Sequence, residues 1–432
     1  MKKVIDLIAN NPVLITAITF VVFYFIPIKP KPFGDGDFHM GTIQLIDYIS
    51  NNFEGDITIN KGILTLICYL IPYAIVYPFH DDSYYLLSST AFSLIFVCLS
   101  VHYIFKAVDI LKIKSQQKVI IILLLTLFPI HIYYAMGVIG EVFAFFASSL
   151  WLYFWVKISY SKTNIGITDY IFLGLSLVLL YGTKPIFIPF IGVFSLYLLF
   201  FKSNWKNKLA FYLVVALIPT LIVIESKSNK QGQEFKQYVF RSQILWSRYE
   251  LRDEPFNWIP QHGKDEYSSS DYLNNRKKRI ELDSICTVKG YDRNKYFIKW
   301  VVNDIVENPL LTLRQYSLKF FQSQSFIISP LIKSKKSPLV KYSIHIYINL
   351  INYILVFVGL FAMYKLQKIN NYKLFLPFLF FWGSGLCYVF LMHSEQRYMF
   401  PFRPVLIFLF AYWLHLKNEK RYIFKKENKV CD

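Results

Sequence analysis

Eleven apolar runs punctuate the chain, near 12–28, 62–79, 84–105, 119–136, 139–158, 169–182, 185–201, 208–224, 344–364, 374–391 and 401–416. They recur at about the length a helix needs to cross ~30 Å of hydrocarbon. The pattern predicts an all-α integral membrane protein. Between Glu225 and Ser343 the chain is far more polar. Within that stretch "YFIKWVVNDIVENPLLTLRQYSLKFFQS" keeps apolar residues at helical spacing until Pro309 restarts the helix. Internal repeats, low-complexity tracts and Gly-rich phosphate loops are absent from the sequence.

Composition agrees with this: 55 % of the residues are hydrophobic and 19 % aromatic, and the mean hydropathy is +0.37. The net charge of +19 could point to nucleic acid, but the lysines cluster between apolar runs and at the C-terminus. Cytoplasmic loops of membrane proteins have that signature, so no nucleic-acid partner is expected. The five cysteines, Cys68, Cys98, Cys286, Cys387 and Cys431, form no CxxC pair, which excludes a disulfide framework or a zinc site. Lys2 and Lys3 precede the first apolar run and no small-residue cleavage site follows it, so it reads as a retained signal anchor.

The same lysines orient the spans. If all eleven runs crossed, the loop with Lys106, Lys112, Lys114 and Lys118 and the tail with six basic residues would lie outside. The run 62–79, interrupted at Pro72 and followed by "HDDS" with no basic residue, is the one to remove. As a juxtamembrane helix on the outer face it restores the bias. The expectation is then ten crossings with both termini cytoplasmic. Seven lie in an N-terminal membrane region 1–224, whose first outer loop 29–83 is acidic and carries juxtamembrane helices. A polar outer-face region 225–343 follows, then three spans in 344–416 and a basic cytoplasmic tail 417–432. A vocabulary rich in Lys, Ile, Asn, Tyr and Phe points to the cytoplasmic (inner) membrane of a bacterium.

This topology gathers ionisable residues at the outer ends of the spans. Asp35, Asp37 and His39 lie in "FGDGDFH", Glu141 in "GVIGEVF", Lys184 in "YGTKPIF", and His393, Glu395 and Arg397 in "MHSEQRYMF". Charges at such depth are costly unless paired or facing a wet cavity, so they mark functional sites. Asp35 is flanked by glycines, which let the backbone approach a ligand closely. His39 also suits a helix start, Glu141 a helix dipole, and Lys184 and Arg397 an interfacial anchor. A cavity with carboxylates, imidazoles and cations beside lipid suits a substrate with an anionic head and an apolar tail.

A first span, then an acidic outer loop holding juxtamembrane helices, resembles the layout of GT-C glycosyltransferases of the protein O-mannosyltransferase and lipid A aminoarabinose transferase type. Three further stretches are similar to that family: "FPIHIYYAMGVIGEVFAFFASSLWLY", "LGLSLVLLYGTKPIFIPFIG" and "HSEQRYMFPFRPVLIFLFAYWL", the last like the family's R-Y-x-x-P ending. Where many members carry Asp-Glu, this chain has Asp-Gly-Asp, so Asp35 and Asp37 both stand as the functional acid. The resemblance implies a polyprenyl-phosphate sugar as donor, a glycolipid, polysaccharide or protein as acceptor, and an outer-loop aspartate as general base. Lys184, Arg397 and Tyr398 would then bind the donor phosphate, with His39, Glu141, His393 and Glu395 as further cavity residues. Neither a cofactor nor a catalytic metal is expected, because a lipid monophosphate needs no metal bridge. Membrane lipids are the other implied partner, and a lipid-linked saccharide flippase or an O-antigen polymerase or ligase is the alternative.

Overall fold

A computed structural model describes residues 2–25, 36–51, 62–79, 81–127, 130–160, 165–227, 270–325, 337–391 and 396–427. Among them every regular element is helical. The helices are α1 (Lys2–Asn10), α2 (Pro12–Phe25), α3 (Gly36–Ser50), α4 (Ile63–Val76), α5 (Asp82–Ile110), α6 (Ser115–Leu127), α7 (Ile130–Ala135), α8 (Glu141–Tyr160) and α9 (Ile167–Thr183). They continue with α10 (Ile188–Phe200), α11 (Trp205–Val215), α12 (Leu217–Lys227), α13 (Ser270–Lys289), α14 (Arg293–Glu307) and α15 (Pro309–Gln324). The last are α16 (Pro338–Lys368), α17 (Tyr372–Leu391) and α18 (Arg403–Glu427), the last preceded by a 3₁₀ helix, Gln396–Phe402.

Among the described residues six stretches are long and apolar enough to cross a membrane: Asp82–Ile110, Glu141–Tyr160, Trp205–Val223, Pro338–Lys368, Tyr372–Phe390 and Tyr398–Lys417. A seventh exists if α1 and α2 count as one bent span, since they meet at 83°. The chain is thus a multi-pass membrane protein. The bend falls at Asn11-Pro12, because a proline cannot continue the hydrogen-bond ladder of the helix before it. The described part of the run expected at 12–28 is α2, and an amphipathic α1 turns away from it and packs on α6. Four other apolar helices, Ile63–Phe79, Ser115–Thr126, Ile167–Thr183 and Pro185–Phe200, are shorter than the six.

The bundle is organised around α8, which packs on α5, α9, α18 and the 3₁₀ helix. Its middle is aromatic: Trp151 stacks on Phe381 of α17 at 4.7 Å and meets Phe190 and Phe194 of α10 edge-on. Burying so many rings supplies close contact that lipid tails alone would not favour. The polar region beginning at Glu225 is not wholly separate from this bundle. Asp292 caps α14, the helix ends at Glu307, and α15 opens at Pro309. α15 then packs on α16, α17 and the 3₁₀ helix, joining the spans themselves.

Candidate functional site

Lys184 is followed by proline, and a residue before proline is pushed out of the helical region. Its backbone is extended accordingly (φ −149°, ψ 109°), α9 stops at Thr183, and the lysine amide still closes the last turn onto Leu180 O at 2.9 Å. The side chain is thereby released toward α8. There its ammonium donates to Oε1 of Glu141, the first residue of that helix. The pair is deeply buried, with Glu141 1 % and Lys184 8 % exposed. Lys184 therefore does not snorkel to an interface, and Glu141 does more than soothe a helix dipole.

Tyr398 supplies the third side. It sits on the 3₁₀ helix with its ring 4.8 Å from the Lys184 ammonium, a cation–π distance, and meets Tyr388 edge-on. The 3₁₀ helix is held to α8 just beyond Glu141. Ser148 Oγ donates to Pro401 O at 2.6 Å, and Phe145 stacks on Phe400 at 4.8 Å. Three expected site residues from distant parts of the sequence thus meet at one point.

The ends of α8 and α9 are set by α4. The Tyr69 hydroxyl accepts the amide of Ile139 at 3.0 Å and faces the carbonyls of Ile139 and Gly137, pinning the turn that leads into Glu141. Farther up α4, Gly62 presses on the last turn of α9. A Cβ there would lie 2.5 Å from Gly182 O, and a Cβ on Gly182 would collide with Leu64. Only two glycines allow this contact, and through it α4 fixes where Lys184 emerges.

His39 lies elsewhere, on α3, and is buried. Its Nδ1 is 2.7 Å from Tyr73 Oη and its Nε2 is 3.4 Å from Asp82 Oδ1, so it ties α3 to α4 and α5. Burial lowers its pKa below the ordinary value, with Asp82 opposing. Its partner Tyr73 packs beside Tyr69, with ring centroids 6.3 Å apart. Asp35, His393 and Glu395 lie outside the described residues, as do the side chains of Asp37 on α3 and Arg397 on the 3₁₀ helix.

A second polar arrangement was not foreseen. Lys341, His345, Asn349 and Asn352 are all buried on α16, the last three within the apolar run 344–364 and Lys341 in the polar region just before it. α15, which packs on α16, buries Gln315, Lys319, Ser323 and Gln324. His345 Nδ1 donates to Lys341 O at 2.7 Å, Asn349 Nδ2 to His345 O at 2.8 Å, and Asn352 Nδ2 to Gln324 O. Lys319 Nζ reaches Phe390 O at 3.4 Å, near the end of α17. The spacing of four, four and three in "KYSIHIYINLIN" was the available signal, since it places all four residues on one helical face. Among the described residues no three His, Cys, Asp or Glu side chains converge as metal ligands would.

Comparison with protein-family models, with curated proteins and with solved structures finds no match to this chain.

Proposed function

We propose that this protein is an inverting glycosyltransferase that uses a polyprenyl-phosphate sugar at the outer face of a bacterial cytoplasmic membrane, with ten crossings and both termini inside. The observation that carries the reading is the meeting of Glu141, Lys184 and Tyr398 at the ends of apolar helices, braced by α4 beside the acidic first loop. A buried, oriented ammonium at the edge of the hydrocarbon suits a leaving phosphate that gains charge as its bond to sugar breaks. Asp35 or Asp37 takes the proton of the acceptor hydroxyl, and the oxygen attacks the anomeric carbon from the opposite face. The carbon–oxygen bond to phosphate breaks, its electron pair leaves with the lipid phosphate, and Lys184 and Arg397 stabilise that charge. Glu141 holds the Lys184 ammonium in place, while Tyr398 covers it. The region 225–343 shapes acceptor choice.

Lipid-linked-saccharide transport is the second reading, and the buried polar face of α16 is what favours it, since a route for a polar headgroup needs such a lining. Purified protein in detergent, given a polyprenyl-phosphate sugar and envelope extracts as acceptor, separates the two. Transfer without a sealed bilayer, lost in Asp35→Asn or Asp37→Asn by roughly 10²–10⁴-fold at unchanged donor binding, supports the transferase. Wild-type rates in both mutants would remove the mechanism.

A further inference from the structure

Helix α14 carries two apolar faces, and only one of them is used inside the protein. Phe297 and Val301 are buried with Leu282 and Cys286 of α13 in a small cluster of their own. Ile298, Val302 and Val306 stand one turn apart on the adjoining face, and in sequence the same spacing runs on past Pro309 through Leu310 and Leu313 of α15. These five side chains are between 41 and 81 % exposed. Lys295 and Lys299 are exposed beside the stripe, whereas Asp304 and Glu307 fall on the far side of the helix at about 100° per residue. A row of apolar side chains flanked by cations and backed by acids is the pattern of a helix that lies in a membrane interface. The place of α14 in the fold agrees. Tyr316 of α15 stacks on Phe390 at 5.2 Å, and Lys319 Nζ reaches Phe390 O, at the end of the candidate span Tyr372–Phe390. From Tyr316 back to the start of α15 is roughly 10 Å of helix, so α14 joins the bundle close to the membrane face at which α17 ends.

We propose that α14 docks on the surface of the bilayer, with Ile298, Val302 and Val306 in the interface and Lys295 and Lys299 on anionic phosphate headgroups. Binding of this kind draws on buried apolar area together with the attraction of the cations to anionic lipid. It gives the polar region 225–343 a hold on the membrane besides the packing of α15 on the spans. The site is separate from the Glu141–Lys184 pair and does not depend on the transferase reading.

The full chain in phosphatidylglycerol nanodiscs, with Val302→Cys as its sole cysteine and a nitrobenzoxadiazole label there, tests it. Lipids carrying a nitroxide just below the headgroup should quench this label strongly and aqueous iodide only weakly, while a label at Glu307→Cys should show the reverse. Strong quenching by iodide at Val302→Cys overturns the proposal. So does protection there from both quenchers, because protein and not lipid then covers the stripe. Lys295→Gln and Lys299→Gln should each lower the ratio of docked to undocked label about fivefold, the contribution of one lysine near an anionic surface. A ratio that neither substitution changes also overturns it. If the cysteine replacements unfold the protein, hydrogen exchange along Arg293–Glu307 in wild type decides. It should be slower in phosphatidylglycerol than in phosphatidylcholine nanodiscs, and equal exchange in the two overturns the proposal.

Discussion

Around Glu141 charge is buried as a matched pair, whereas along α16 polarity is buried as a ladder. The pair draws its members from α8 and α9, takes Tyr398 from the 3₁₀ helix as a lid, and fixes all three segments at one point. The ladder draws on neighbouring turns: His345 on Lys341 O and Asn349 on His345 O, with Asn352 crossing to Gln324 O. An ion pair in a low dielectric depends strongly on both members, because removing either leaves the other charge poorly compensated. A ladder of amides bonded to carbonyls loses only one rung at a time. The first design holds a charge at a single position; the second lines a helix face.

The comparison breaks most visibly at Glu141. Glu141→Gln takes the carboxylate from the Lys184 ammonium, and Lys184→Met takes the cation from Glu141, so each should cost about 3–5 kcal/mol. The double replacement, neutral on both sides, should cost clearly less than the two single losses added together. Thermal melting of the four proteins in one detergent measures the coupling. Additive losses would mean that the two groups do not act as a pair.

The brace behind the pair comes next. Gly62→Ala sets a methyl 2.5 Å from Gly182 O, a backbone atom that has no rotamer in which to yield. A cost of about 1–3 kcal/mol is expected from such overpacking, along with displacement of Lys184. Ser317→Ala, an exposed hydroxyl bonded within its own helix on α15, serves as the control and should change little. Equal melting of the two variants would dissociate α4 from the site.

On the ladder side, Asn352→Leu removes the amide that serves Gln324 O. Interhelical hydrogen bonds within membranes average about 0.6 kcal/mol and reach about 1.7, so the loss should fall in that range and below the Glu141→Gln loss. A larger loss than at Glu141 would reverse the contrast between pair and ladder.

The two regions also differ in what their sequences disclose. Glu141 and Lys184 stand out because each interrupts the edge of an apolar run, Tyr398 stands out through its R-Y-x-x-P motif, and Lys184-Pro185 spells the extended backbone that frees the lysine. Their meeting point does not, since it rests on Tyr69 and on the Gly62–Gly182 contact between segments far apart in the chain. The α16 face was spelled out by its spacing, yet Ile344, Ile346, Ile348 and Leu350 keep the window apolar and hide it. Helical character was legible almost everywhere, because apolar runs of this length leave the backbone no other way to satisfy itself in lipid. The turn between α1 and α2 was not, because Pro12 lies where a run begins and reads as its boundary. His39 read as a cavity residue or a helix start, for its partners Tyr73 and Asp82 lie on α4 and α5.

That histidine supplies the smallest expected effect and a third way to bury a polar group, as a neutral base. Burial is the larger cause that lowers its pKa from the ordinary 6.5, and Asp82 partly restores it. Burial also raises the Tyr73 phenol, which keeps its proton and donates it to His39 Nδ1, leaving Nε2–H directed at Asp82. For a base whose folded pKa lies below its unfolded one, the unfolded chain binds more protons between the two values. The stabilising contribution is therefore whole above 6.5 and is lost as pH falls from there through the folded value. Hydrogen exchange at the amides of α3, followed from pH 7.5 to pH 5 and corrected for intrinsic rates, should show protection declining toward acid in wild type. A single group changes opening by at most about 1.36 kcal/mol per pH unit, and the partial compensation by Asp82 keeps the slope well under that. His39→Gln, which does not titrate, should be less protected at neutral pH and nearly flat across the same interval. The same slope in both proteins, or protection that falls as pH rises, would mean that His39 is not held as a neutral base between Tyr73 and Asp82.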